Sequence, residues 1–250
     1  MKTSTSLFKG LYYSVGVAFI VLFWLILSSV KDSFVYPTFN LIFQSIGEIL
    51  VDKTILFSAL MSLLRVIIVI IISFIISTII TFLYLWKKET FYLFKPLLII
   101  LKSAPLAIIS VYLWISLGAE SAPYLITLLM VLPVSMEGFI TSVDEIDKSY
   151  LTALKLENIK FYKKFFKIYL PLIKPYIFMT FLQTFGMGIK VMLMGEYICQ
   201  TSSSLGQIIY IYKQDLSFSH LIALLIIISL LVAVIEIVIN RFSTKIAQKY

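Results

Sequence analysis

Apolar residues occur along this chain in long, nearly unbroken runs, and most polar residues lie in the short segments between them. A helix needs about 20 mostly apolar residues to cross a bilayer. Runs of this kind cover Leu11–Ser29, Leu56–Trp86, Phe91–Gly118, Ala122–Thr141, Tyr176–Ile198 and His220–Ile239. The pattern therefore predicts an all-α polytopic membrane protein of about six transmembrane helices, with residues 1–250 forming a single transmembrane domain.

The first and third runs carry features that a plain span lacks. The first resembles the apolar core of a signal peptide, but no small-x-small cleavage site precedes Lys31, so we expect an uncleaved anchor helix. The third contains Pro96 and Pro105. Because proline interrupts helical hydrogen bonding, we expect a kink or a break in this run.

The segment between the first two runs, Asp32–Lys53, mixes apolar and polar residues. Within it, Ile42, Ser45, Ile46 and Ile49 fall at helical spacing. A helix with one apolar face can lie in the membrane interface while its polar face stays in water. We therefore expect a short helix along the outer surface.

Composition excludes several classes of protein. Hydrophobic residues make up 60% of the chain, charged residues 14%, and the mean hydropathy is +1.01, whereas soluble domains are about a quarter charged. The lone Cys199 and His220 exclude a disulfide framework and a Cys/His metal cluster, and no catalytic cluster is visible. The chain has no P-loop, so we expect neither enzyme activity nor a cofactor on this chain.

The positive charge is distributed unevenly between the two sides of the predicted membrane. With the N-terminus inside, fourteen Lys and Arg residues fall on the cytoplasmic side and three, Lys31, Lys53 and Lys213, on the other. Cytoplasmic loops of membrane proteins accumulate Lys and Arg. The bias predicts that both termini are cytoplasmic, and it accounts for the net charge of +8 without any binding of nucleic acid.

A lysine-rich segment, Ser142–Pro175, separates the fourth and fifth runs. In its second half, a stripe of lysines at helical spacing consists of Lys160, Lys163, Lys164 and Lys167. A stripe of aromatic residues at the same spacing consists of Tyr162, Phe165, Phe166 and Tyr169. The two stripes fall on opposite faces of one helix. Pro171 is predicted to close this helix.

The first half of the same segment is predicted to be a second helix, over 147–157. Tyr150, Ala153, Leu154 and Glu157 lie along one side of it, and Asn158 suits a tight turn between the two helices. Three interpretations remain open on these residues. The segment is a docking site for a soluble partner, a helix on the lipid surface attracted by anionic headgroups, or a plain positive-inside loop.

The docking interpretation agrees with a known pattern. Residues 152–171 read T-A-L-K-L-E-N-I-K-F-Y-K-K-F-F-K-I-Y-L-P, which resembles the "E-A-A, three residues, G, then I-x-L-P" loop of bacterial ABC-importer permeases of the binding-protein-dependent (type I) family. Ala153 stands at the first alanine, Asn158 at the glycine, and Leu170-Pro171 at the closing pair. The sequence departs from the pattern where Thr152, Leu154 and Asn158 replace the glutamate, the second alanine and the glycine.

Further segments resemble the same family in the same order. Val35-Tyr36-Pro37 resembles "L-P-S/T-P", and Ser62-Leu63-Leu64-Arg65 resembles "S-L-x-R". Leu101-Lys102-Ser103-Ala104-Pro105 resembles "L-R-x-I-P". Gly195-Glu196 resembles a small residue followed by glutamate, and Ser204-Leu205-Gly206 resembles "G-L-G". Together they point to the subgroup that serves aliphatic sulfonates, taurine, nitrate and thiamine precursors.

The resemblance implies a mechanism and a set of partners. Six helices of this size form half of a translocation path rather than all of it, so we expect a homodimer. The resemblance implies that this dimer lies in the bacterial cytoplasmic membrane and moves a small anionic solute, delivered near Asp32–Lys53 and Thr201–Phe218 by an extracytoplasmic binding protein. An ATPase dimer, which would bind ATP and Mg²⁺, would receive the coupling helix around Tyr150–Asn158. Ala153 and Leu154 would form its buried tip.

Charged residues inside the apolar runs are the candidates for a substrate path: Arg65, Lys102, Glu137, Lys190 and Glu196. Each would cost about 2.5–3.5 kcal/mol if it faced lipid in mid-span, so each is expected to face a cavity or an opposite charge. Two interpretations stay open, a path for the solute and ion pairs that fix helix packing. Lys190 and Glu196 are six residues apart, so we do not expect them to pair within one helix.

Two other classes of membrane protein remain as alternatives. A stand-alone secondary transporter or scaffold would use the cationic loop to bind lipid, and inverted repeats with two broken helices would support it. The transmembrane subunit of an energy-coupling-factor importer would also dock ATPases, but it carries two coupling helices.

Overall fold

The structure, a computed structural model, describes residues 2–30, 35–147 and 159–247. These residues form helices and short connections, without a strand. The helices before the second gap are α1 (Lys2–Val30), α2 (Phe39–Val51), α3 (Lys53–Trp86), α4 (Phe91–Ser103), α5 (Leu106–Leu117) and α6 (Ala122–Asp144). After it come α7 (Phe161–Cys199), α8 (Leu205–Gln214) and α9 (Phe218–Ala247). The prediction of an all-α polytopic membrane protein is confirmed.

Four of the described helices are long and apolar enough to cross a membrane, namely α3, α6, α7 and α9. The pair α4 and α5 would add a fifth span if it crosses as one broken element. In α1, the apolar stretch with described side chains, Ser14–Ser29, is shorter than the usual span. The described helices therefore support four or five spans, and the sixth, at α1, stays a prediction.

The predicted interruption of the third run lies at Pro105. The helices on either side of it are bent by 100°. Ala104, the residue before the proline, is extended, with φ −72° and ψ 131°, because the proline ring disfavours helical geometry at the preceding residue. Pro96, in contrast, is accommodated inside α4.

The described residues divide into two compact units. The smaller lies within Met1–Asp52 and Ile211–Ile228, and the larger within Lys53–Tyr210 and Ser229–Tyr250. In the smaller unit, α2 buries Ile42, Ser45 and Ile49, as the spacing over 32–53 predicts. Its place along the outer surface of the membrane stays a prediction, as does the single transmembrane domain.

Helices α3, α6 and α7 form the core of the larger unit, and small residues allow them to approach closely. The hydroxyl of Ser135 on α6 lies 2.5 Å from that of Ser73 and 2.8 Å from that of Ser77, both on α3. Gly188 of α7 lies against Val66 of α3. Short hydroxyl pairs in a dry core satisfy each other, so the helices pack without an unpaired polar group at these positions.

The prediction that Pro171 closes a helix is wrong. The chain is helical from Phe161 to Cys199, with a π-helical turn at Phe165–Tyr169 directly before a proline in the first turn of the following α-helix. Proline is tolerated at such a position because its missing N–H would have no partner in a new helix. The wider π turn, in which the N–H of Leu170 donates to the carbonyl of Phe165, lets the helix continue past the ring.

Candidate functional site

A buried carboxylate, Glu196, lies near the end of α7 and is contacted by residues far away in the sequence. Its side chain has no exposed surface. Arg65 of α3 donates from Nη1 to its Oε1 over 3.0 Å, and the hydroxyl of Ser62 donates to its Oε2 over 2.7 Å. Ser62 and Arg65 are three residues apart and therefore share one face of α3.

The backbone that follows α7 closes over the same carboxylate. Gln200 ends the helix in the left-handed conformation, with φ 54°. The N–H of Gly206 then donates to Oε2 of Glu196 over 3.3 Å, and that of Leu205 donates to the Ser62 hydroxyl over 2.9 Å. A Cβ at Gly206 would overlap the backbone of Glu196, so this approach requires glycine.

The guanidinium of Arg65 ties the connection between α7 and α8 to α3. It donates to the carbonyls of Ser202 and Ser203, over 3.1 and 3.3 Å. A buried ion pair offsets its desolvation only when its remaining donors and acceptors are also bonded, and most of them are bonded here. We call Ser62, Arg65, Glu196 and Gly206 the latch, since together they hold this connection closed against α3.

Glu120 lies at the exposed edge of the latch. It accepts hydrogen bonds from the hydroxyl and the N–H of Ser202, over 2.6 and 3.1 Å, and one of its oxygens is 3.9 Å from Arg65. The hydrogen bond from the Ser202 side chain is the main cause that lowers the pKa of Glu120 below its ordinary value. The carboxylate therefore keeps its charge next to the arginine.

Lys102 and Glu137 form an ion pair between α4 and α6. The pair lines a cleft of about 570 Å³ whose other walls come from the second half of α6 and the first half of α7. We call it the α6–α7 cleft. Its lining residues are Lys102, Val134, Glu137, Gly138, Thr141, Ser142, Glu145, Tyr176, Met179, Thr180 and Gln183. Both members of the pair are about half exposed, so the cleft is open and polar rather than part of the dry core.

Lys190 lies on α7, away from the latch. Its side chain is exposed, and the described part of the chain contains no ion pair with it. Seven residues separate it from Gln183, so both project from the same side of the helix. Of the five predicted path residues, four therefore form two separate ion pairs and Lys190 stands apart. Whether any of them contacts a solute stays a prediction.

The coupling residues Tyr150, Ala153, Leu154, Glu157 and Asn158 lie outside the described residues. On the near side, Asp144 at the end of α6 accepts hydrogen bonds from the hydroxyl of Tyr84 over 2.8 and 3.0 Å and lies 3.7 Å from Lys88. On the far side, Phe165 is fully buried, and its ring meets that of Phe82 edge-on at 5.1 Å. Both flanks of the predicted coupling helix are thus fixed to α3.

The aromatic stripe is only partly buried, which the helical spacing did not predict. Phe165 has no exposed surface, but Tyr162 is 51% exposed and Phe166 is 57% exposed. Phe165 and Phe166 are consecutive residues, so their side chains point about 100° apart around the helix axis. Only the side of the stripe that carries Phe165 faces the other helices.

Several residues of the site are not among the candidate site residues that the sequence predicts. Ser62 enters the sequence analysis only within a motif, and Glu120 and Gln183 do not enter it. Glu145 belongs to an acidic group with Asp144 and Asp147, which suits the start of the predicted coupling helix rather than a cleft. Glu120 lies beside the start of a helix, where a charge is ordinary, so nothing in the sequence marks it. Gln183 did carry a signal, because it falls at helical spacing from Lys190.

In the smaller unit, Glu48 of α2 accepts a hydrogen bond from Gln44 and lies 2.9 Å from Nε2 of His220. Hydrogen bonds from these two side chains lower the pKa of Glu48. No group of three His, Cys, Asp or Glu residues within the described ranges is placed to hold a metal ion. The cluster is therefore a contact between α2 and α9 rather than a metal site.

The comparisons with known proteins bear on this arrangement. The family model described as a binding-protein-dependent transport system inner membrane component matches residues 84–249, about two thirds of the chain. No curated protein matches the chain. The matched region contains the α6–α7 cleft, the lysine-rich segment and the loop that closes over Glu196. Because it covers well over half of the sequence, the chain belongs to the family of binding-protein-dependent transport system inner membrane components.

Proposed function

We propose that this chain is the transmembrane permease subunit of an ATP-driven ABC importer in the bacterial cytoplasmic membrane, with both termini in the cytoplasm. The family match over residues 84–249 is the observation that carries the proposal. In this assignment the chain conducts a small solute that an extracytoplasmic binding protein delivers near Asp32–Lys53 and Thr201–Phe218. It catalyses no reaction itself.

The energy for transport comes from a separate ATPase dimer that holds the ATP and Mg²⁺. This chain contains no P-loop. The ATPases dock at the coupling helix around Tyr150–Asn158, with Ala153 and Leu154 at its tip. The contacts of Asp144 and Phe165 with α3 support this assignment, because a push on the segment between them is passed directly to the core helices.

A homodimer accounts for the polar groups that the spans expose. Glu137, Gln183 and Lys190 are exposed on α6 and α7 although both helices are long enough to cross the membrane. Charged groups facing lipid in mid-span would each cost about 2.5–3.5 kcal/mol. We assign this face to a water-filled path that the chain shares with a second copy of itself.

Transport then follows from a change in population between two states of the dimer. The ATPases bind the two states with different affinity, so ATP binding and hydrolysis shift the equilibrium between inward-open and outward-open forms. The latch belongs at the outer end of the path in this orientation, since it joins the start of α3 to the end of α7. The α6–α7 cleft belongs at the cytoplasmic end.

Co-purification tests the assignment. The tagged chain is extracted in mild detergent from its native host, and the proteins that accompany it are identified by mass spectrometry. The Ala153→Asp variant places a charge at the coupling tip. The matched control, Asn40→Asp, adds the same charge at an exposed position of α2.

We expect an ATPase subunit to accompany the wild type and the Asn40→Asp control and to be lost from Ala153→Asp. Absence of an ATPase from all three would contradict the proposal and favour a stand-alone membrane protein. Retention of the ATPase by Ala153→Asp would show that the docking site has been assigned to the wrong residues.

A further inference from the structure

The charges that line the α6–α7 cleft do not balance. Lys102 and Glu137 neutralise each other, whereas Glu145 has no ion-pair partner within the described residues. Two carboxylates and one ammonium group therefore face the same space. Lys190 does not line the cleft, because it lies about two turns beyond Gln183 along α7.

The remaining lining groups are suited to hydrogen bonding with a small polar molecule. Thr141, Ser142 and Thr180 present hydroxyls, and Gln183 presents an amide. The hydroxyls of Ser142 and Thr180 already donate to carbonyls of their own helices, so towards the cleft they can act only as acceptors. Acceptors and carboxylates together favour a ligand that brings donors.

From this balance we infer that the α6–α7 cleft recognises a solute that carries an ammonium group, as a cation or a zwitterion, rather than a plain anion. Glu145, the lining carboxylate without an ion-pair partner among the described residues, receives the ammonium group. Where the solute also has an acidic group, that group replaces Glu137 as the partner of Lys102. The inference rests on the proposed function, and it differs from the anionic solute that the family subgroup implies.

A simple anion would meet an unfavourable field in this cleft. It would have to displace Glu137 from Lys102 and leave both carboxylates without a partner, whereas a zwitterion exchanges one ion pair for two. The cleft is open to water, so this preference is modest, but charges near a protein surface still interact more strongly than charges in bulk water. The local charge therefore selects for the ammonium group whatever the rest of the solute is.

Thiol modification measures this selectivity without knowledge of the solute or the ATPase. Gln183→Cys places a thiol in the wall of the cleft, and the full-length chain is studied in nanodiscs at low ionic strength. The probes are a cationic trimethylammonium-ethyl thiosulfonate and an anionic sulfonato-ethyl thiosulfonate. The wild-type chain is the blank because its single cysteine, Cys199, is buried. Rates are divided by those of a free thiol in solution.

We expect the normalised rate for the cation to exceed that for the anion by about five-fold, as one uncompensated charge at short range in a wet site would produce. Adding Glu145→Gln should bring this ratio close to one. Glu89→Gln, which removes an exposed carboxylate outside the cleft, should leave it unchanged. A ratio of two or less, a ratio unaffected by Glu145→Gln, or no reaction with either reagent would overturn the inference.

This result is independent of the test of the proposed function. Co-purification of an ATPase depends on the coupling helix and not on the charges of the cleft. A retained ATPase together with an unselective cleft would remove the inference about the solute and leave the permease assignment intact. A selective cleft without an ATPase would remove the permease assignment and leave the charge preference of the cleft intact.

Discussion

At the scale of single residues, the feature that organises the larger unit is the carboxylate of Glu196. Arg65, Ser62 and the N–H of Gly206 all converge on it. The sequence contains these residues in three short motifs, and their resemblance to a family pattern marked each motif separately. The motifs do not reveal that they meet in space, because 131 residues separate Arg65 from Glu196.

Loss of the Glu196 charge should destabilise the chain severely. In Glu196→Gln the guanidinium of Arg65 stays buried without a counter-charge, which typically costs about 3–5 kcal/mol. The measurement is thermal unfolding of the full chain in detergent. Glu89→Gln removes an exposed carboxylate and should change the unfolding temperature little. The double variant Arg65→Met with Glu196→Gln should recover part of the loss, and no recovery would argue against a stabilising pair.

Glu120 should make stability depend on pH. Its pKa in the folded chain is lowered, mainly by the Ser202 hydroxyl. The stabilisation is therefore complete above the ordinary pKa of 4.5 and disappears as the pH falls through the lower, folded-state pKa. Glu120→Gln should lower the unfolding temperature at about pH 7 and have a smaller effect at about pH 3, below the ordinary pKa. An effect of the same size at both pH values would rule out this explanation.

At the scale of the helices, prediction succeeded where a local rule decides the outcome. The break at Pro105 and the amphipathic α2 both follow from short-range sterics and spacing. It failed at Pro171, because the helix passes this residue by means of a π turn. Proline rules favour an end to the helix at this point, but packing of Phe165 against α3 holds the turn in place. Contacts of that kind are not visible in a single sequence.

Substitutions of Phe165 and Phe166 test whether the aromatic stripe forms one buried face or is buried only in part. In the structure Phe165 is fully buried and Phe166 is 57% exposed. Phe165→Ala should therefore destabilise the chain by about 3–5 kcal/mol, the usual range for a buried phenylalanine. Phe166→Ala is the matched control and should cost much less. Equal losses in thermal unfolding would instead support the single apolar face that ordinary helical spacing predicts.

At the scale of the whole molecule, the apolar runs and the positive charge predict a polytopic membrane protein, and the family match extends this to a transport component. The described helices account for four or five spans. Neither the orientation nor the partners follow from the packing of one chain. The orientation depends on the membrane, and the partners of our proposal are a second copy of the chain, the ATPases and the binding protein. Both therefore require measurements on the complex.

ATP hydrolysis by the complex purified on this chain is the measurement that tests the central claim most directly. The account predicts steady hydrolysis in nanodiscs that contain the wild type or Asn40→Asp, and background hydrolysis with Ala153→Asp, because only that variant alters the coupling tip. Hydrolysis at background level in all three samples would contradict the assignment of this chain as the permease of an ATP-driven importer.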